Sequence, residues 1–292
     1  MVFLVCLWIQ YFRKKIIDNA KRLKDGYVLI DDGWTKHGDW ETQYTNKFPG
    51  GMKYLAKEIK SLGFKPGLWI APFFVNPKSF LAHEHEDWLI KDKHKYIEGF
   101  NVLPFTLPFV RFRYVLDPEN PKVMRYIKDC IINIVENWGF ELLKLDFLYT
   151  IYFNPRYKDT KIPDQILREF LTFIKKRYPS VYTIGCGCPL GPAAGLVDAM
   201  RISGDITTPQ LNNIWPINKI VNSQKLKLLE NNLQYRTGFE KVWNIDPDVF
   251  IAGKETGFSQ KQAQKLYQLI KSTQGLFFLG DNLTKTKPKN YF

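Results

Sequence analysis

The sequence predicts an α/β chain folded as one eight-stranded (β/α)8 TIM barrel, and three observations carry that expectation. Short apolar runs rich in β-branched and aromatic residues alternate with longer amphipathic stretches, the signature of repeated βα units feeding a parallel sheet. The strand-like runs number eight, with seven helical stretches between them. No glycine-rich phosphate turn comes after the first run, as a doubly wound open sheet would usually require. The 292 residues suit one such barrel, which needs about 250, as well as they suit two smaller domains.

Taken in order, strands are expected over 2–7, 27–30, 67–71, 142–145, 181–185, 199–202, 249–252 and 276–279. Each is a run of four to six mostly apolar residues of the kind a sheet covered on both faces demands. Helices are expected over 12–24, 52–62, 122–138, 164–178, 219–237 and 259–273, with a shorter turn over 192–197. The stretch 122–138 shows why: Val123, Ile127, Ile131, Ile134, Val135 and Trp138 recur at three- and four-residue spacing, which lines one face of a helix. The connection 72–121 after the third strand is too long for an ordinary βα loop and reads as an insertion, with a hairpin strand over 110–116. After the eighth run 13 residues remain, so the last helix is expected to be missing or very short.

Composition excludes several classes. With 45% apolar, 15% aromatic and 24% charged residues, the chain is neither disordered nor collagen-like nor a coiled coil. The net charge of +13 comes from lysines scattered over most expected helices (Lys14, Lys57, Lys175, Lys261), which reads as solvated helix faces rather than a nucleic-acid patch. The apolar stretch 1–8 is too short to span a bilayer, and its basic run Arg13-Lys14-Lys15 comes after it, the reverse of a signal peptide. Four cysteines (Cys6, Cys130, Cys186, Cys188) are too sparse for a disulfide scaffold and favour a reducing, cytoplasmic setting. Neither nucleic acid nor a membrane is expected as a partner. No metal or other cofactor is implied, because His83, His85 and His94 lack a ligand spacing.

The residues just past each strand are more informative, because these barrels carry their active sites at the C-terminal strand ends. The second strand runs into Asp31-Asp32-Gly33-Trp34. The third holds Trp69, and the fourth reads Lys144-Leu145-Asp146. The fifth ends in Cys186-Gly187-Cys188, and the sixth runs Arg201-Ile202-Ser203-Gly204-Asp205. Lys144 and Asp146 are two apart and therefore share a strand face. Lys144 and Arg201 are expected to hold Asp146 ionised, as a nucleophile requires. Asp205, in a loop past Gly204, is expected in a drier place where it keeps its proton. Two carboxylates with separated protonation are the equipment of glycoside hydrolysis. Asp31 and Asp32 suit adjacent sugar hydroxyls, and Trp69 suits the apolar face of a pyranose.

These motifs, in this order, resemble the retaining α-galactosidases of glycoside hydrolase family 36, the melibiase-type barrels of clan D related to the raffinose-synthase branch. The resemblance runs from about Cys6 to Asp281. It rests on Cys6-Leu7-Trp8, Asp31-Asp32-Gly33-Trp34, Gly67-Leu68-Trp69-Ile70-Ala71-Pro72, His85-Glu86-Asp87-Trp88, Lys144-Leu145-Asp146-Phe147, the Gly185–Pro192 and Val197–Arg201 runs, and Asn244-Ile245-Asp246-Pro247-Asp248. It implies Asp146 as nucleophile and Asp205 as general acid/base, their carboxyls near the retaining separation of about 5–5.5 Å. It implies Asp31 and Asp32 on the sugar O4 and O6, Lys144 and Arg201 on ring hydroxyls, and Trp8, Trp69, Cys186 and Gly204 lining the pocket. The implied substrate is an α-galactoside oligosaccharide or glycoconjugate. The β domains that usually flank such barrels are expected to be lacking, which gives a minimal or truncated form and makes an oligomer or a complementing chain expected partners. The alternatives are a transglycosylase or another α-glycosidase of the same group, and a catalytically idle sugar-binding barrel or subunit of a split enzyme.

Overall fold

In the computed structural model, the fold is organised around one parallel sheet. The structure describes residues 2–7, 13–23, 25–92, 95–96, 98–99, 113–157, 161–206, 214, 216–251 and 257–284. Nine strands form the sheet: β1 (Val2–Leu7), β2 (Tyr27–Ile30), β3 (Lys65–Ile70), β4 (Leu142–Leu145), β5 (Tyr182–Gly185), β6 (Ala199–Arg201), β7 (Asn244–Asp246), β8 (Val249–Phe250) and β9 (Leu276–Leu279). Their order is β7-β6-β5-β4-β3-β2-β1-β9-β8, and every pairing is parallel. The two ends of that order, β7 and β8, are separated in the chain by Pro247 and Asp248 alone. The sheet thus returns on itself through one interrupted segment.

That interruption corrects the sequence reading, which put a single seventh strand over 249–252. Here Asn244–Asp246 pairs with β6, and Val249–Phe250 pairs with β9. The physical reason lies in the two residues between. Proline has no N–H for a ladder, and Asp248 adopts a left-handed φ of 85°, which turns the chain from one neighbour to the other.

The flanking helices owe their inner faces to apolar spacing. They are α1 (Arg13–Ala20), α2 (Gly51–Ser61), α3 (Pro121–Ile132), α4 (Lys161–Arg177), α5 (Ile217–Tyr235) and α6 (Gln260–Ser272). In α2, Met52, Leu55, Ala56 and Ile59 face inward. In α3, Val123, Ile127, Cys130 and Ile131 do so, Pro121 opens the helix, and the Asn120 side chain accepts the N–H of Lys122. A π turn over Asn133–Asn137 extends α3 to the residues expected from periodicity. A capping box of Ser259 and Gln262 starts α6. No helix among the described residues is long and apolar enough to cross a membrane.

The insertion after β3 carries its own small sheet. Phe74–Val75 pairs antiparallel with Arg113–Val115, which also pairs with Glu98–Gly99. Arg113–Val115 falls within the hairpin strand expected over 110–116, of which 110–112 lie outside the described residues. A short helix, Phe80–Glu84, is capped by Ser79, and its first two N–H groups donate to the carboxylate of Asp39. Past β9, Leu283 is buried and its N–H donates to Oδ1 of Asn19 in α1 at 2.6 Å.

Candidate active site

The C-terminal rim is built by extending each strand ladder one residue further. The N–H of Asp146 donates to Ile70 O at 2.8 Å, that of Cys186 to Leu145 O at 2.8 Å, and that of Ile202 to Asp246 O at 3.0 Å. These bonds fix where Asp146, Cys186 and Arg201 leave the sheet. Phe147 then turns the chain with a left-handed φ of 54°. A side chain at Gly187, also left-handed, would press on the Tyr149 ring at 3.0 Å.

Asp146 is held from two sides. Trp69 Nε1–H donates to Oδ2 at 2.9 Å, and Phe147 N–H donates to Oδ1 at 2.7 Å. The Cys186 thiol is hydrogen-bonded to the same carboxylate, and Lys144 acts on it through its charge. All four favour the ionised form. Burial nonetheless outweighs them, and the Asp146 carboxyl sits above the usual carboxylate range. Of the two cations expected to hold this group ionised, Lys144 acts in that direction against desolvation, and Arg201 is paired with Asp205, Asp246 and Asp248 instead.

Lys144 Nζ donates to Asp31 Oδ2 at 2.8 Å, with both side chains about one-tenth exposed. Asp31 Oδ1 also accepts the N–H of Asp32 at 2.8 Å. Asp32 is more open, and its Oδ1 meets His37 Nε2 at 2.7 Å. Asp31, Asp32, Lys144 and Asp146 thus share one rim, as their positions after β2 and on β4 require.

Arg201 is surrounded by carboxylates. Its Nη2 lies 2.6 Å from Asp248 Oδ1 and 3.2 Å from Asp205 Oδ1, and its Nη1 lies 3.6 Å from Asp246 Oδ2. Asp246 and Asp248 are buried, but the Asp205 side chain is 66% exposed. The expectation of a dry Asp205 is corrected: the residue sits past Ser203-Gly204, outside the ladder, in solvent. The dry carboxyls of this cluster are Asp246 and Asp248, and burial raises Asp248 to about 6 despite Arg201. Asp248 also accepts the N–H of Ile206 at 2.5 Å. Lys225 of α5 reaches the same cluster, donating to the Asp205 carbonyl at 2.7 Å, and burial lowers its ammonium below the usual range.

Cys186, at the end of β5, stands between these two groups. Its thiol is pushed well above the ordinary value by burial, with Asp146, Lys144, Arg201 and Asp246 all acting on it. Trp69 differs from the open sugar platform expected of it. It is 2% exposed, its faces are met by His37, Trp40 and Phe147, and its work is the hydrogen bond to Asp146. Gly204 is exposed, with nothing within 4 Å of a Cβ placed there. Trp8 lies outside the described residues. His37, Arg113, Asp246, Asp248 and Lys225 were not singled out from sequence. For Asp246 and Asp248 the signal was present, an Asp-Pro-Asp run at a strand end, but no role was attached to it.

A separate cleft of about 430 Å³ lies at the other end of the sheet, lined by Lys175, Tyr182, Asp198, Trp243 and Asn244 among others. Tyr182, Asp198 and Asn244 stand at the starts of β5, β6 and β7, where this architecture places stability rather than chemistry.

The C-terminal rim of this parallel α/β sheet gathers Asp31, Asp32, Lys144, Asp146, Arg201, Asp205, Asp246 and Asp248. Comparison with known proteins supplies the class. The melibiase family model matches residues 10–192, more than half of the chain, which therefore belongs to the melibiase family, the glycoside hydrolase family 36 group. An α-galactosidase of Escherichia coli is 27% identical over 183 residues, covering 59% of this chain and 24% of the relative. Alpha-galactosidase Mel36A of Lactobacillus acidophilus is 28% identical over 189 residues, with the same coverage. The aligned part thus spans about a quarter of these relatives' length. Among solved structures, TtGalA, an α-galactosidase of Thermus thermophilus in complex with stachyose, superposes with a TM-score of 0.78 at 24% identity. That match covers 99% of this chain and 62% of the other. The GH36 α-galactosidase AgaA of Geobacillus stearothermophilus gives 0.71 at 21% identity, covering 100% of this chain and 40% of its own.

Proposed function

We propose that the chain is a retaining glycoside hydrolase acting on terminal α-galactosides of the melibiose and raffinose kind. Asp146 attacks the anomeric carbon as the glycosidic C–O bond breaks, and Asp205 gives its proton to the leaving oxygen. A galactosyl-aspartate forms. Asp205 then deprotonates a water that attacks the same carbon, releasing galactose with retained configuration and restoring the Asp146 carboxylate. Asp31 and Asp32 accept sugar hydroxyls, and Lys144 and Arg201 donate to ring hydroxyls beside them.

The observation that carries this reading is the seat of Asp146: a half-buried carboxylate at the end of β4, oriented through both oxygens by Trp69 and Phe147, in a chain of the melibiase family. Donors fixed before substrate arrives are what a positioned nucleophile needs. The solvent access of Asp205 suits a group that must exchange a proton with water in every cycle. The stachyose and p-nitrophenyl α-galactoside held by the Thermus enzyme support the galactoside class.

The test is a panel of nitrophenyl α- and β-glycosides, with D146N as the control. Turnover of the α-galactoside above all others, abolished in a folded D146N protein, is the expected result. Undiminished turnover in D146N refutes the nucleophile assignment. Tight galactose binding by a wild-type protein without turnover supports the idle sugar-binding reading instead.

A further inference from the structure

His37 holds a place that the proposed chemistry has not used. Its side chain is 7% exposed, between two charged groups from distant parts of the chain. Arg113 Nε lies 2.9 Å from His37 Nδ1, and His37 Nε2 lies 2.7 Å from Asp32 Oδ1. A guanidinium Nε always carries hydrogen, so Nδ1 must be the acceptor. The ring hydrogen then sits on Nε2 and is donated to Asp32. One tautomer satisfies both neighbours.

The ring is also fixed in orientation. It stacks on Trp40 with centroids 5.8 Å apart and planes 21° from parallel, and packs on Trp69 at 5.2 Å. Trp69 is the residue that donates to Asp146. The His37 carbonyl is anchored as well, accepting the N–H of Asn76 at 2.8 Å. Arg113 itself comes from the insertion, on the strand Arg113–Val115 that pairs with Phe74–Val75 just past β3.

We infer that His37 is a positioning residue for sugar binding: oriented by Arg113 from the insertion, it donates Nε2–H to Asp32 and fixes the oxygen that this carboxylate presents to a sugar hydroxyl. The inference rests on the proposed role of Asp32. The insertion thereby sets the geometry of a pocket it reaches through one imidazole. A carboxylate with one oxygen engaged has one orientation to offer, which favours a hydroxyl of one configuration over its epimer.

Two independent readouts test this. The first is the ¹⁵N spectrum of the histidine side chains, with the His37 signals identified by their loss in H37Q. A neutral ring bearing hydrogen on Nε2 is expected in wild type, and R113M should abolish that preference. A charged ring, or hydrogen on Nδ1, overturns the relay whatever the activity. The second is kinetic. H37A should lower kcat/KM for a nitrophenyl α-galactoside about tenfold, mainly through KM, the size of one lost hydrogen bond to a charged group. H37Q, whose amide nitrogen replaces Nε2, should recover most of that loss. H37N, whose amide reaches the Nδ1 position, should not. Equal behaviour of H37Q and H37N, or an unchanged KM in H37A, overturns the positioning role. A wild type inactive on every α-galactoside, with the Nε2–H signature intact, sinks the galactoside reading and the sugar role with it, but leaves the relay standing.

Discussion

Trp69 and Asp146, 77 residues apart, meet through one hydrogen bond of 2.9 Å from the indole N–H to Oδ2. The Trp69 backbone is anchored, since Trp34 Nε1–H donates to its carbonyl at 2.8 Å, and the indole packs against His37, Trp40 and Phe147. The indole bond favours the ionised carboxylate, whereas burial opposes it and leaves the carboxyl above the ordinary aspartate range. A nucleophile must be ionised, so activity should fall as pH drops through the raised value, at a higher pH than an exposed aspartate would give. In W69F the donor is gone and the carboxyl rises further. The acidic limb of kcat/KM should therefore move to higher pH than in wild type. An unmoved limb in a folded W69F protein would detach Trp69 from the protonation of Asp146.

Asp205 should separate the two chemical steps. A nitrophenolate leaves without a proton, so D205N should still form the galactosyl-enzyme from a nitrophenyl α-galactoside. Releasing it requires a base to activate water. The expected record is a burst of about one equivalent of nitrophenol and then a stall, a loss of roughly 10²–10⁴-fold in steady turnover. Azide, which attacks without losing a proton, should restore turnover. Absence of both burst and rescue would count against Asp205 as acid/base.

The rim was legible in the sequence because parallel strands buried on both faces are short apolar runs, and a polar residue just past such a run must leave the sheet. Tyr27–Ile30, Leu142–Leu145 and Leu276–Leu279 were read at the boundaries found. The interrupted seventh segment was not, because Asn244–Asp246 is too polar to resemble a buried strand. Asp246 is buried there beside Arg201, a charge compensation that no local pattern encodes. The solvent access of Asp205 and the covering of Trp69 were hidden for a related reason. The covering of Trp69 depends on which distant side chains arrive, His37 and Trp40, and the exposure of Asp205 on how the chain leaves the sheet after Arg201.

The meeting of β7 and β9 can be probed at a single glycine. A Cβ on Gly275 would stand 2.2 Å from Ile245 O and 2.8 Å from Ile245 N, both backbone atoms that cannot rotate away. G275A should destabilise the fold by about 3 kcal/mol, lowering Tm by roughly 6–12 °C. Gly191 provides the contrast, since nothing lies within 4 Å of a Cβ there. G191A should leave Tm unchanged or slightly raised. A neutral G275A would mean that β7 and β9 do not approach in solution as they do here.

Asp248 should leave its mark on stability against pH. Its carboxyl titrates near 6 in the folded chain, above the ordinary value of about 4 in an unfolded one. Between those values the folded state holds a proton that the unfolded state has released. Stability from this group is therefore full at low pH and is lost as pH rises through 6. The cost arises because burial of Asp248, with Asp205 and Asp246 nearby, outweighs the attraction of Arg201. Asparagine imitates the protonated form. D248N and wild type should thus have similar Tm near pH 4, and the variant should gain on wild type as pH rises to 7. In the same variant Arg201 loses a partner at 2.6 Å and keeps Asp205 and Asp246. A Tm difference independent of pH would show that Asp248 is already ionised below pH 4, with the attraction of Arg201 stronger than the desolvation that opposes it.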